Sequence, residues 1–399
     1  MSDLAEAKLT MHLYLHVPFC RKKCAYCGFA SAPGGPDDMS AYVRTLIQEM
    51  MQRAAQAGGR PIQSVYLGGG TPSLLPAHEL ERIFSAARRF FAWSEDAEIC
   101  LEANPDSVHS EDQVRAWRNM GVTRVSLGVQ SLDREVLCFL GRSHTPEQVD
   151  SAVQYLKGAG VDNFGLDLIW GIPGQDLGSW LGTLREVLVW KPAHLSLYSL
   201  SVEPGTPLAA IEAGQDRIFC HSQGQEYTPR KLIQHDGSLA WPDEDTWSDM
   251  FIQGRKLLVQ AGYEHYEISN YARPGYKCLH NSGIWQGEDY MGLGPAAVST
   301  LKAVRRQNPN NLAEYIGMMD NGYPLPAEEL LPLQVREREN GMLGLRTNQG
   351  IDLIKAKSWL DRDLAARLQE AGLLEVQRGR LRLTPQGMLV SNEILARLL

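Results

Sequence analysis

Cys20, Cys24 and Cys27 lie within eight residues in the order C-x-x-x-C-x-x-C. Three thiolates on one short loop can converge on the corners of an iron–sulfur cubane, for which cysteine is the usual ligand. Three thiolates and four irons leave one iron without a protein ligand, open to a substrate or cofactor. Arg21, Lys22 and Lys23 sit between the first two cysteines; their charge offsets an anionic cluster and lowers thiol pKa. A structural zinc site is the competing reading. Zinc wants four ligands, commonly from two C-x-x-C pairs, and no second pair exists, although His16 or a distant cysteine could complete the set. The other four cysteines (Cys100, Cys138, Cys220 and Cys278) are scattered and read mostly as small buried hydrophobes.

The elements that would carry such a loop are strands alternating with helices. Strand candidates begin at Leu13, Ser64, Glu98, Arg124, Asn163 and His194. Helical patterns lie between them, from about Ser40 to Ala57, His78 to Phe91, Gln113 to Met120, Pro146 to Gly158 and Ser179 to Trp190, with Gly121 and Gly160 where C-terminal caps belong. Six such units predict a parallel sheet with right-handed crossovers, either an open doubly wound sheet or a barrel of fewer than eight strands. The unusual residues cluster at the strands' C-terminal ends. These are the cysteine loop, GGGTPS, Glu102 with Asn104 and Asp106, Gln130, and Asp167 with GIPG. Ligands bind at that edge in parallel α/β folds. The glycines of GGGTPS let the backbone approach a polar ligand, and the absence of a following Gly-Lys-Ser/Thr excludes a phosphate loop.

The formal charge of −8 argues against a nucleic-acid partner. The start MSDLAEAKLT resembles neither a signal nor a transit peptide, no long apolar run suggests a membrane helix, and an odd cysteine count suits a reducing cytoplasm. Residues 209–245 are polar and aperiodic and read as an insertion. From Leu373 onward, LLEV, QRGR, LRLT and a final helical pattern make a winged-helix-like segment. The helix before it, LAARLQEAG, is not basic, so a structural or protein-contact role is expected.

The cysteine spacing, with aromatic Tyr26 before the third cysteine and GGGTPS after the second strand, resembles the radical S-adenosylmethionine (SAM) superfamily. The resemblance implies a [4Fe-4S] cluster on Cys20, Cys24 and Cys27 whose open iron chelates the amino and carboxylate groups of SAM. Reduction then cleaves SAM to methionine and a 5'-deoxyadenosyl radical. The expected fold is α/β, a partial (β/α)6 radical SAM barrel with a C-terminal α+β extension ending in the winged-helix-like segment. The expected divisions are a tail (1–10), the barrel (11–208), the insertion (209–245), an α+β extension that is the candidate haem region (246–325), and the C-terminal domain (326–399).

LYLHVPFCRKKCAYCGFAS, YLGGGTPSLL, LEANPDS, SLGVQSLD, LGRSH and DLIWGIPGQ narrow the resemblance to the oxygen-independent coproporphyrinogen III oxidase-like family. It implies that Tyr14 touches SAM near the cluster and Tyr26 packs on the adenine. Gly69, Gly70 and Thr71 would bind the methionyl part, and Glu102, Gln130, Arg142 and Asp167 the rest. Two branches of the family separate here. The oxidase loop reads C-x-x-x-C-x-x-C-x-C after a longer N-terminal segment, whereas this chain has Phe29 at the last position and nineteen residues before Cys20. The haem-chaperone branch is resembled through YEISNYARPGYKCLHNSGIWQGEDYMGLGPAAVST. That branch implies haem as cargo, delivered to acceptor haemoproteins such as respiratory enzymes, with membrane contact only through those acceptors. It also implies a haem role for His280 in the His280, Asn281, Trp285 motif, with Ile284 where the family often has tyrosine. Cys278 and the Cys220–His221 pair are the other candidate haem ligands. Tyr271, Trp285, Tyr290 and Met291 are expected to supply an apolar face for the porphyrin. The alternative function is radical decarboxylation of coproporphyrinogen III propionates.

Overall fold

The protein is described by a computed structural model covering residues 10–215, 220–222, 225–227, 230–234, 236–322 and 327–399. The expected tail, apart from Thr10, lies outside the described residues, as do the side chains of Cys220 and His221.

Six strands, β1 (Met11–Val17), β2 (Ile62–Gly69), β3 (Trp93–Ala103), β4 (Arg124–Gln130), β5 (Phe164–Trp170) and β6 (His194–Ser199), lie side by side in chain order. Every neighbouring pair is parallel. Each strand is followed by at least one helix, as right-handed crossovers require. The residues alternate with period two, and the register aligns the alternation across the sheet. Leu13 lies opposite Val65, Val65 opposite Ile99, Leu101 opposite Val125, Leu127 opposite Leu166, and Leu166 opposite Leu195. These aliphatics are buried in the main core with the helices. Burying each stabilises the fold by about 1.5–3 kcal/mol. The intervening positions are mostly polar or aromatic: His12, Tyr14 and His16; Ser64 and Tyr66; Glu98 and Glu102; Arg124 and Ser126; Asp167; His194, Ser196 and Tyr198, with Cys100 and Ile169 as apolar exceptions. The helices therefore cover one face of the sheet, and the barrel presents a polar interior.

The helix Pro36–Arg53 starts earlier than its pattern predicts. Proline is favoured in the first helical turn, and Asp38 closes that turn by accepting a 2.9 Å hydrogen bond from Gly35 N. Asp37 and Asp38 thus lie in its first turn. Pro146–Gly158 forms as expected, capped by Thr145. Gly121 and Gly160 take positive φ at the ends of their helices.

The second half lengthens this same sheet. The insertion holds a hairpin of β7 (Cys220–Ser222) and β8 (Gln225–Tyr227). Beyond it, β9 (Glu264–Glu267) and β10 (Asn270–Ala272) form a hairpin whose β10 pairs antiparallel with β6. On the other edge β11 (Tyr290–Leu293) pairs parallel with β1. It is followed outward by β12 (Val298–Leu301), β13 (Val304–Gln307) and β14 (Glu328–Leu330), giving twelve strands in one curved, open sheet. A buried polar cluster fastens this extension to the first helix. The Glu49 carboxylate accepts from Gly294 N, Asn308 Nδ2 and Tyr315 Oη, each at 2.8 Å, and Arg53 donates to Gly292 O and Ser299 Oγ at 2.9 Å. Buried charges are tolerated only when their bonding is met in this way.

The C-terminal segment builds its own small core around Leu345, Leu381 and Leu395. It has a three-stranded sheet, β15 (Ile351–Asp352), β16 (Leu374–Gln377) and β17 (Arg380–Leu383), with the helix Arg362–Glu370 between β15 and β16. This is the winged-helix-like arrangement. Among the described residues no helix is long and apolar enough to cross a membrane.

Candidate functional site

The chain between β1 and the first helix is pinched at its neck, where Cys20 N donates to Ala32 O and Ala32 N to Pro18 O. Beyond that neck hang Cys20, Cys24 and Cys27, all free and half-buried. The loop is tied across the barrel mouth by Ala25 N to Leu140 O (3.0 Å) and Leu208 N to Ala25 O (2.8 Å). A polar chain then joins two of the sulfurs. Arg142 donates to Cys24 Sγ (3.4 Å), Asn104 Oδ1 (2.5 Å) and Gly128 O (2.7 Å). Asn104 Nδ2 donates to Thr71 Oγ1 (2.8 Å), and Thr71 Oγ1 to Cys20 Sγ (3.7 Å). The ends of β2, β3 and β4 thus converge on the cysteine loop that follows β1. Burial opposes the Arg142 charge, but Tyr26 and Cys24 beside it hold its pKa above the ordinary value.

Gly70 is where the loop after β2 meets the cysteine loop. Its N–H donates to Val17 O, and Thr71 N to Phe19 O. A Cβ on Gly70 would lie 2.5 Å from Phe19 O and 2.9 Å from Phe19 N and C. The glycine is therefore required by the protein's own backbone, a need that ligand approach alone does not explain. Gly69 takes φ +109, and Gln130, a non-glycine, φ +65. Strain of the second kind concentrates at functional sites.

A cavity of about 640 Å³ opens at this mouth, lined by the three cysteines, Tyr26, Gly69, Gly70, Thr71, Glu102, Gln130, Arg142 and Asp167. Sequence reasoning assigned every one of these, and the fold brings them together from five strand ends. Glu102 accepts from Tyr66 Oη (2.7 Å) and Gly69 N (3.1 Å), and Asp167 from Ser126 Oγ (3.1 Å). Burial, with Asp167 nearby, raises the Glu102 pKa to about 7. Burial likewise raises Asp167 and the Cys27 thiol.

The donor set fits the implied cluster. Three free thiols line one cavity beside Arg21, Lys22 and Arg142. Among the described residues no three histidine, cysteine or acidic side chains close on a single-ion position. The polar floor of Glu102, Gln130 and Asp167 next to bare glycine backbone suits a ligand carrying an ammonium, a sulfonium and hydroxyls.

Tyr14 and His280 stand elsewhere. Both line a second cavity of about 760 Å³, which shares Gly28, Phe29, Glu102 and Tyr198 with the first. Tyr14 Oη lies 3.1 Å from His16 Nδ1, and the Tyr14 ring faces Tyr66 and His280 at 6.2 and 6.1 Å. Tyr14 is thus a wall of the second cavity and is not part of the first. His280 lies in the helix Leu279–Trp285, its Nδ1 3.0 Å from Ser64 Oγ and its ring stacked on Tyr66 at 5.0 Å. Burial, with His12 nearby, pushes its pKa down to about 3, so it is a neutral imidazole.

The other expected haem contacts resolve differently. Cys278 is buried and donates to Glu98 Oε1 (3.4 Å), which also accepts from Leu279 N (2.9 Å) and, at its other oxygen, from Arg124 (2.8 Å). Cys278 therefore anchors the helix and does not face the cavity. Of the four expected apolar residues only Tyr290 lines the cavity. Met291 is fully buried, Tyr271 stacks on His265 at 4.2 Å, and Trp285 borders a different recess. Ile284, Val298 and Phe29 supply the apolar surface in their place. Cys138 is disulfide-bonded rather than a buried thiol. Sequence reasoning missed His12, Ser64, Tyr66 and Tyr198, and named His16 only as a possible zinc ligand. Their signal was the polar phase of the strand alternation, as in H-L-Y-L-H.

Residues 14–187 match the Radical SAM superfamily and residues 331–390 the HemN C-terminal domain. The chain is 38% identical to Heme chaperone HemW of Escherichia coli (strain K12) over 72% of this chain and 69% of that protein. It is 33% identical to Heme chaperone HemW of Mycobacterium tuberculosis (strain ATCC 25618 / H37Rv), over 97% of this chain and 94% of that one. Among solved structures it is similar to the coproporphyrinogen III oxidase HemN of Escherichia coli, described as a radical SAM enzyme. The TM-score is 0.78 and the identity 26%, with 97% of this chain and 89% of that one covered. Over nearly its whole length, from the cysteine loop through the His280 helix to the C-terminal segment, the chain belongs to the Heme chaperone HemW family of radical SAM proteins.

Proposed function

We propose that this chain is a haem chaperone with two adjoining ligand sites. The first cavity takes a [4Fe-4S] cluster on Cys20, Cys24 and Cys27 and SAM against Gly69, Gly70, Thr71, Glu102, Gln130 and Asp167. The second takes haem, with His280 as an iron ligand, and the haem passes to acceptor haemoproteins such as respiratory enzymes. The observation that carries this reading is the junction of the two cavities. Glu102, Tyr198, Gly28 and Phe29 line both, so ligands in the two cavities would meet across the same four residues.

Bound together, the cluster and SAM supply one-electron chemistry. The rest is the work of this chain. Arg142 and the basic loop offset negative charge at the thiols, and Thr71 and Arg142 orient two of them. Burial, with His12 nearby, keeps His280 neutral, the form in which an imidazole ligates iron. Phe29, 66% exposed, occupies the position of the oxidase's additional cysteine and gives the junction an apolar edge. That favours the chaperone over the oxidase. Anaerobic incubation of the reconstituted protein with SAM, a reductant and either haem or coproporphyrinogen III tests the choice. The reading expects retained haem and no decarboxylated porphyrinogen. Release of carbon dioxide with SAM consumed would establish the oxidase instead.

A further inference from the structure

Behind the second cavity four side chains are joined end to end. Glu288 Oε2 lies 2.9 Å from His12 Nε2, His12 Nδ1 lies 2.7 Å from Ser64 Oγ, and Ser64 Oγ lies 3.0 Å from His280 Nδ1. The members come from β1, β2, the helix Leu279–Trp285 and the turn after it. His12, Ser64 and His280 are buried at 1, 0 and 3% exposure, so bulk water does not stand in for a missing partner.

The polarity of the chain follows from the donor inventory. A carboxylate only accepts, so the hydrogen of the first bond belongs to His12 Nε2. A neutral imidazole has one N–H, so His12 Nδ1 must accept, and its donor is the Ser64 hydroxyl. That hydroxyl has then spent its single hydrogen. Toward His280 it can only accept, and the hydrogen of the last bond sits on His280 Nδ1. The lone pair of His280 is left on Nε2, which makes no hydrogen bond among the described residues.

We propose that Glu288, His12 and Ser64 are positioning residues that lock His280 in the Nδ1–H tautomer and so present Nε2 as its metal-binding atom. This rests on the reading of His280 as the haem ligand. A ligating histidine commonly donates its other N–H to a group that fixes tautomer and ring orientation, and here that group is a serine backed by a histidine and a carboxylate. The packing is built for it. A Cβ on Gly283 would lie 2.0 Å from His12 Nε2, so the His280 helix sits directly on the His12 ring and only glycine permits the approach. The His280 ring is held edge-on to His12 (5.8 Å, 90°) and stacked on Tyr66 (5.0 Å, 29°). The opposite polarity, with Nε2–H on His280, requires a proton added to the chain, either on Glu288 or as a doubly protonated His12.

The decisive readout is the ring-nitrogen shift of His280 in haem-free, full-length protein carrying 15N-histidine, assigned by its loss in His280→Ala. The relay predicts Nδ1–H with an unprotonated Nε2. Ser64→Ala, which removes one oxygen, should give a mixture of tautomers and weaken ferric-haem binding about tenfold to hundredfold, with cluster absorbance retained. Glu288→Ala should act in the same direction, and Ser64→Thr, which restores the hydroxyl, should recover most of the loss. An Nε2–H tautomer in the wild type overturns the relay. So does a Ser64→Ala protein with wild-type tautomer and haem affinity while His280→Ala loses haem. If His280→Ala itself keeps wild-type haem affinity and spectrum, the ligand reading falls. The shifts in haem-free protein still support or overturn the tautomer lock.

Discussion

Glu102→Gln isolates the charge at the floor of the first cavity. Burial raises the Glu102 pKa from an ordinary 4.5 to about 7. The folded protein therefore holds a proton that the unfolded chain releases, and stability is lost as pH rises between about 4.5 and 7. The difference corresponds to about 3 kcal/mol at about 1.36 kcal/mol per pKa unit, which water in the open cavity reduces to about 2 kcal/mol. Glutamine removes the titration and keeps both bonds, because its oxygen accepts from Gly69 N and its amide donates to Tyr66 Oη. Thermal melts of the ligand-free protein should coincide for wild type and variant near pH 5. At pH 8 the variant should melt a few degrees higher, as a gain of about 2 kcal/mol implies. SAM binding should move the other way. The sulfonium favours the ionised Glu102, so at pH 6.5 calorimetry should show proton release on binding to wild type, and weaker binding without that release in the variant. A melting difference that does not change with pH, or a variant less stable at pH 8, would refute the reasoning.

Replacing Cys20, Cys24 or Cys27 by alanine should abolish the reconstituted [4Fe-4S] absorbance and iron content, while Cys100→Ala, in the barrel wall, leaves both intact. Gly70→Ala should cost about 1–3 kcal/mol because its methyl meets fixed Phe19 backbone, and it should lower the iron bound per chain. Gly182→Ala, with no atom within 4 Å of the added methyl, should not, and the two variants can be compared by iron assay and melting. Glu98→Ala strands Arg124, which is 3% exposed, at a cost of about 3–5 kcal/mol in denaturant unfolding. It also frees Leu279 N at the start of the His280 helix, so haem retention should fall with stability.

The barrel and the first cavity were legible in the sequence because their signals are local. A cysteine loop, a triple glycine and a polar residue each close a short apolar run, and a parallel sheet places all such ends on one edge. The helix Pro146–Gly158 was legible because Thr145, Pro146 and Gly160 mark its ends. The second cavity was not, because it depends on pairings between distant segments. His12 and Glu288 are 276 residues apart, and β11 reaches β1 across most of the chain. Nearness in sequence was a poor guide there. Tyr290 and Met291 are neighbours, yet strand alternation sends one to the cavity and the other to the core. The polar phase of β1 through β6 was visible, but its aim into a barrel interior became apparent only once the helices were seen to cover the opposite face.

The central claim, two adjoining sites with His280 as haem ligand, is tested most directly by haem titration of the anaerobically reconstituted protein beside His280→Ala, following the Soret and cluster absorbances together. The account predicts one haem per chain in the wild type. In the variant it predicts a shifted Soret band or weakened retention, with the cluster spectrum unchanged. Identical haem spectra and affinities in the two proteins would contradict it.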